Sequence, residues 1–256
     1  MLKEIIISFQ AFIQAHRFIN KHKLWRWIII PGIIYTLLFI VGLYLFGITS
    51  VPATQYFVTK SGLKTWVDSF NTSWLNFFVI IVQALIMVLL FLFYFSMFRF
   101  TFLIVGSPVF AYLSEKTESI LEQKAFPFSL TQFLIDIVRG IKIATRNLLW
   151  QILYLFSILI LSIIPVVGMI APLIALLTEC YYFGFSMLDY SCERYKLTTS
   201  QSIAFIGKHK GLAIGNGIIF YLMHLIPLVG WLLAPSYAVI AATLSLHQAR
   251  QKQVIF

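Results

Sequence analysis

A six-residue phrase occurs twice in this chain and restricts it to few folds. Ile163-Ile164-Pro165-Val166-Val167-Gly168 returns as Leu225-Ile226-Pro227-Leu228-Val229-Gly230, 62 residues later. An Ala-Pro pair follows each copy, at Ala171-Pro172 and Ala234-Pro235. Both copies lie in stretches without Lys, Arg, Asp or Glu, residues 147–178 and 211–249. Proline lacks a backbone donor and breaks helices, and glycine permits a tight reversal. The unit therefore reads as the tip of a helical hairpin inside a membrane. Pro165, Gly168 and Pro172 form one tip, and Pro227, Gly230 and Pro235 the other. Backbone at such tips must be buried in protein or line a wet cavity, because lipid cannot satisfy it. Two such hairpins favour a transport or channel architecture over an enzyme.

Composition agrees with a membrane location. Hydrophobic residues make up 60% of the chain and charged residues 11%, against about 25% charged in a soluble domain. Apolar runs reach the roughly 20 residues that a bilayer crossing needs. The net charge of +10 comes from cations that flank these runs, as the positive-inside rule requires. They read as topology and headgroup signals, with nucleic acid excluded as a partner. Cys180 and Cys192 form no Cys-x-x-Cys and read as packing residues. Lys3, Glu4, Arg17, Lys21, Lys23 and Arg26 interrupt the first 26 residues, so no signal-peptide core is expected there.

Residues 2–20 follow a helical period. Leu2, Ile5, Ile6, Phe9, Phe12, Ile13, His16 and Ile19 share a face, with Lys3, Gln10, Gln14 and Arg17 elsewhere. This predicts an amphipathic helix on the membrane surface. Trp27 to about Thr49 predicts the first spanning helix, and 50–73 a polar connection compatible with a short amphipathic helix. The second run, from Trp74 to Phe98 and on to Tyr112, reads as one long helix bent at Gly106-Ser107-Pro108. Residues 128–147 form another amphipathic stretch. The hairpins then occupy 148–188 and 211–248. Arms of about 16 residues reach only about 24 Å, short of the roughly 30 Å hydrocarbon layer, so re-entrant and spanning hairpins both remain open. Two spans and two returning hairpins put every basic segment on the cytoplasmic face.

Several phrases carry a family resemblance. They are Phe9-Gln10-Ala11-Phe12, Leu24-Trp25-Arg26-Trp27-Ile28-Ile29-Ile30-Pro31, Ser107-Pro108 with Leu113-Ser114-Glu115, and Leu188-Asp189-Tyr190. The two tips and Ala241-Ala242-Thr243 complete the series. In this order and spacing the chain resembles the CysZ family of bacterial inner-membrane proteins linked to sulfate uptake for cysteine synthesis, with the etoposide-induced 2.4 proteins as wider relatives. The resemblance implies two long transmembrane helices, two half-penetrating hairpins, a homo-oligomer, and a sulfate site before the first spanning helix. The family's pattern there is Gly, an aliphatic residue, Arg, often a second Arg, and an aromatic residue. Leu24, Arg26 and Trp27 match it, whereas Lys23 replaces the glycine and Trp25 the first arginine.

Chemistry points to the same turn. A helix start presents unpaired N–H groups and partial positive charge, which suit an oxyanion. Arg26 adds a planar fork, and Lys23 restores the charge of the missing arginine. Lys23, Leu24, Trp25 and Arg26 are therefore the candidate substrate-binding residues, with an interfacial anchor as the plain alternative. Arg99 reads either as the cytoplasmic end of the second span or as a pathway residue. Glu179, the first charge after Arg146, is a candidate for proton coupling or for a structural pair with a cation. His224 and Asn216 are candidates for interhelical hydrogen bonds or a pore lining. Asp189-Tyr190 reads as a cap or loop contact.

No His-Glu-x-x-His, Gly-x-Ser-x-Gly or phosphate-binding loop is present, and no enzyme activity, cofactor or metal is expected. The expected protein is an all-α, multi-pass membrane protein forming one domain over 1–256. Within it, 1–26 is an interfacial helix and basic turn, 27–112 two long transmembrane helices, 148–188 and 211–248 two short helical hairpins. Its expected partners are membrane lipids, a small inorganic anion such as sulfate, and copies of itself. A membrane scaffold or lipid-organising protein without solute flux is the alternative function.

Overall fold

A computed structural model describes residues 1–62, 65, 67, 69, 73–123, 129–162 and 164–251. It is all-α. The helices are α1 Leu2–His22, α2 Trp25–Lys60, α3 Ser73–Glu122, α4 Leu130–Leu161, α5 Pro165–Arg194, α6 Thr199–Lys208, α7 Lys210–His224 and α8 Val229–Gln251. Among the described residues, five segments are long and apolar enough to cross a bilayer: Trp25–Lys60, Val79–Glu122, Leu130–Leu161, Gly168–Arg194 and Val229–Gln251. The 15 residues of α7 reach only about 22 Å.

α8 is the axis of the fold, packing on α1, α2, α3, α5 and α7. Ala238, Val239, Ile240, Ala241 and Ala242 are buried in succession. Burial all round a helix requires an apolar surface on every side, and its small residues let neighbours approach closely. α1 differs from the single apolar face expected of it. Ile7, Ala11, Phe12, Ala15 and Ile19 pack inward, while Leu2, Ile6, Phe9 and Ile13 remain exposed on a separate stripe. The helix thus has two apolar faces, one packed on the protein and one exposed.

The long helices exceed their expected bounds. α2 continues past Thr49 to Lys60 with Pro52 inside it. The short helix expected later in 50–73 falls largely on residues outside the described ones. α3 runs unbroken through Pro108. That proline deprives the Ile104 carbonyl of its usual partner four residues on. The Ser107 hydroxyl donates to this same carbonyl at 2.9 Å, and the helix continues.

The amphipathic stretch at 128–147 and the first arm of hairpin one form a single helix, α4, started by a Ser129 cap. Nothing between them breaks a helix: Gly140 is tolerated because it fits under the Tyr190 ring and beside Ser107. At 32 and 30 residues, α4 and α5 each reach about 45 Å or more, so the first hairpin is not short.

The first tip phrase is also placed differently from expectation. That copy opens the return helix rather than a loop, whereas residues 225–228 of the second form the turn itself, with Leu228 in the left-handed region at φ 59°. Pro165 is the first residue of α5, and Gly168 and Pro172 follow within it. Pro227 precedes α8, which contains Gly230 and Pro235. A first-turn proline costs little, since its N–H would have no partner there. The glycines have a shared steric role. A Cβ on Gly168 would stand 2.5 Å from the Ser162 carbonyl, and one on Gly230 would strike the Met223 carbonyl. Each glycine lets the return arm close onto the end of the outgoing arm.

Candidate anion-binding turn and buried charge cluster

The turn between α1 and α2 is short and tightly tied. Lys23 ends α1 in the left-handed region, at φ 55° and ψ 42°. Glycine is the favoured residue for such a helix end, which explains its place in the family pattern. Leu24 is buried, and its N–H donates to the Ile19 carbonyl at 3.1 Å. The Trp25 indole donates to Asn20 at 2.9 Å. Asn20 reaches His16 at 3.1 Å, and His16 meets the Tyr237 hydroxyl at 2.8 Å. Trp25 is thereby fastened to α1 and α8. The Trp27 ring lies 4.4 Å from that of Tyr112 on α3.

The two cations of the turn are left over. Lys23 and Arg26 are exposed, and their side chains have no partner among the described residues. No side chain caps the start of α2, and its first turn holds no acidic residue. Among the described residues no backbone acceptor serves the N–H groups of Trp25 and Arg26, whereas Trp27 donates to the Leu24 carbonyl at 3.0 Å. Partial burial, then the Lys21 charge, push His22 below its usual pKa. It stays mostly neutral at pH 7 and adds little charge here. The turn presents one guanidinium, one ammonium and an open helix start.

Arg99 and Glu179 meet in the interior. Arg99 lies within α3, which runs on to Glu122, and not at a helix end. Its side chain is fully buried, as is that of Glu179, and Nη1 donates to Oε2 at 2.5 Å. Nη1 also donates to the Tyr221 hydroxyl. Tyr221 in turn donates to Glu179 at 2.6 Å. Nη2 donates to Gln151 Oε1 at 2.8 Å. One guanidinium thus joins α3, α4, α5 and α7, with the Phe100 and Phe183 rings 4.7 and 5.3 Å from it. Close backbone approach makes this possible. A Cβ on Gly217 of α7 would strike the Cys180 carbonyl of α5, next to Glu179. Gln151 and Tyr221 were not singled out by sequence. The available signal was an amide at position 151 within the charge-free stretch 147–178.

His224 lies one turn beyond Tyr221 on α7. Its Nε2 meets the Tyr35 hydroxyl at 3.0 Å, within a cage of Phe39, Phe95 and Phe220. Asn216 donates to the Ala238 carbonyl at 3.1 Å, tying α7 to α8. Asp189 is not a cap or loop residue. It lies within α5 and holds Arg139 of α4 at 3.2 and 2.9 Å, while Arg194 pairs with Asp136. Cys180 and Cys192 are free and buried. A cavity of about 210 Å³ between α2 and α3 is lined by Phe39, Phe46, Phe91 and Phe98 among others, a lining that offers an anion little. Among the described residues no group of three or more His, Cys, Asp or Glu could hold a metal ion.

A multi-pass helical protein with an open cationic helix start is the class defined by this geometry. The family described as sulfate transporter CysZ/etoposide-induced protein 2.4 matches residues 11–235, and the chain belongs to it. The chain is similar to the sulfate transporter CysZ of Pseudomonas syringae pv. tomato (strain ATCC BAA-871 / DC3000), with 29% identity over 186 residues, covering 71% of this chain and 73% of the relative. It is 30% identical over 184 residues to the sulfate transporter CysZ of Pseudomonas aeruginosa (strain LESB58), covering 70% and 74%. With that of Pseudomonas fluorescens (strain Pf0-1) it shares 31% over 184 residues, covering 70% and 73%. The family is one of membrane transport proteins, not of enzymes.

Proposed function

We propose that this chain is a permease or channel for sulfate or a similar small oxyanion, acting as a homo-oligomer in a bacterial inner membrane and supplying sulfur for cysteine synthesis. The observation that carries this reading is the uncapped start of α2, flanked by exposed Arg26 and Lys23. The N–H groups of Trp25 and Arg26 and the Arg26 fork are donors of the kind that recognise a tetrahedral oxyanion. Relatives named for sulfate transport support the choice of ion. Trp25 stands where the family's first arginine would be, so Arg26 is the remaining guanidinium and Lys23 supplies the second charge. The exposed stripe Leu2, Ile6, Phe9 and Ile13 suits insertion into the lipid surface, which would hold the turn near the headgroups.

Sulfate uptake into proteoliposomes tests this, with wild type beside Arg26→Ala. Saturable uptake that falls in the variant is expected. No uptake by folded, inserted wild-type protein overturns it. The lipid-organising scaffold would then take its place, a reading favoured by the second apolar face of α1.

A further inference from the structure

Two donors in the Arg99 cluster have no acceptor. Arg99 Nε and Gln151 Nε2 are buried without a hydrogen-bond partner among the described residues. Turning the Gln151 amide does not repair this. Arg99 offers only donors, so the atom that Gln151 presents to Nη2 must be oxygen, and its NH2 group is left over. Both leftover donors belong to side chains joined at 2.8 Å. Hydrocarbon has no acceptor to give them. An oxygen-bearing molecule entering the cluster would supply that acceptor.

We propose that Arg99 and Gln151 form an interior station for a small inorganic oxyanion, with Glu179 as the counter-charge that keeps its hold weak. This rests on the permease reading above and deepens it by adding a second binding point. Arg99 lies 13 residues before Tyr112 on α3. Tyr112 touches Trp27 at the surface turn, so the station is about 20 Å further along the helix. A lone buried guanidinium would trap an anion. Paired with Glu179 at 2.5 Å, it carries no net charge. Weak binding is what conduction needs, because an ion must leave as readily as it enters. Tyr221 positions the pair by accepting from Arg99 and donating to Glu179.

The experiment uses the full-length chain in lipid nanodiscs with radiolabelled sulfate as the probe. Arg26→Ala removes the surface turn from the measurement. Arg26→Ala protein is expected to retain saturable sulfate binding. Adding Gln151→Leu should weaken it about tenfold or more, the size expected for a lost hydrogen bond to a charged ligand. Adding Glu179→Gln should tighten it by about tenfold, as the repulsion is removed. Gln151→Glu serves where Gln151→Leu does not fold, since it keeps the shape, converts the donor to an acceptor and should abolish binding. No sulfate binding in Arg26→Ala, or binding unmoved by either Gln151 substitution, overturns the station and leaves a water in the cluster. Wild-type uptake into proteoliposomes keeps the two readings apart. Uptake without interior binding removes the station and spares the permease. Gln151-dependent binding without uptake spares the station as an anion site and removes the permease.

Discussion

Arg26 and Arg99 set the same side chain in opposite surroundings. Arg26 stands exposed at the start of α2, without a partner among the described residues. Arg99 is fully buried, with Glu179, Tyr221 and Gln151 on its two terminal nitrogens. Water solvates the first at no structural cost, so it is free to exchange ligands. The second is desolvated and depends on its partners for its presence in the fold. The contrast teaches that a cation in a membrane protein is read from its surroundings: an unpaired one serves a ligand, and a paired one first serves the packing.

Breaking the buried side should have the largest effect. Arg99→Met leaves the Glu179 carboxylate alone in the interior and is expected to cost about 3–5 kcal/mol, seen as a collapse of the melting temperature in detergent. The double variant Arg99→Met/Glu179→Met should recover much of that loss, because no charge remains. A double variant as unstable as the single one would mean that the pair is not the reason for the loss.

The exposed side should respond in the reverse way. Arg26→Ala is expected to leave the melting temperature unchanged and to reduce sulfate uptake about tenfold, equivalent to about 1.4 kcal/mol of recognition. Arg26→Lys should fall between, since an ammonium keeps the charge but loses the two-point fork. The smallest effect is expected at Lys23. Lys23→Gly should relieve the left-handed strain at φ 55°, worth about 1 kcal/mol. The same variant removes one charge from the turn. A higher melting temperature with modestly lower uptake would separate the backbone role of this position from its electrostatic one.

Much of this could be read in the chain before any fold was known. Apolar run length marks α2, α3 and α5, and the basic turn before Trp27 stands out because cations there meet a helix start. The repeated phrase marks the two reversals, but in the first copy it opens the return helix while in the second residues 225–228 are the turn itself. Proline and glycine are local signals, and they do not say whether they end one helix or begin the next. In both copies a carbonyl of the outgoing arm, that of Ser162 or of Met223, comes close enough to exclude a side chain at the glycine. The joining of residues 128–147 to the next run was illegible for a similar reason, since a change from amphipathic to wholly apolar surface looks like a boundary while the backbone continues. The ion pairs were harder still. Arg99 and Glu179 are 80 positions apart, as far as local pattern is concerned unrelated, and only the packing of α3 on α5 brings the acid into reach. Asp189 was misread because its partner, Arg139, lies 50 positions away.

The repaired proline in α3 has a mechanical consequence. With Ile104 satisfied by Ser107, the 50 residues of α3 form one continuous member about 75 Å long. A bilayer with its headgroups is about 45 Å thick, and even at a tilt of 40° such a member would still measure about 57 Å along the normal. Part of α3 must therefore stand in water. Its final turns hold Glu118, which accepts from Tyr195 at 2.7 Å, and Glu122, which faces Arg250 at 3.8 Å. Because α3 is one continuous helix, a displacement anywhere along it is carried to the Glu118 and Glu122 contacts as a lever carries force.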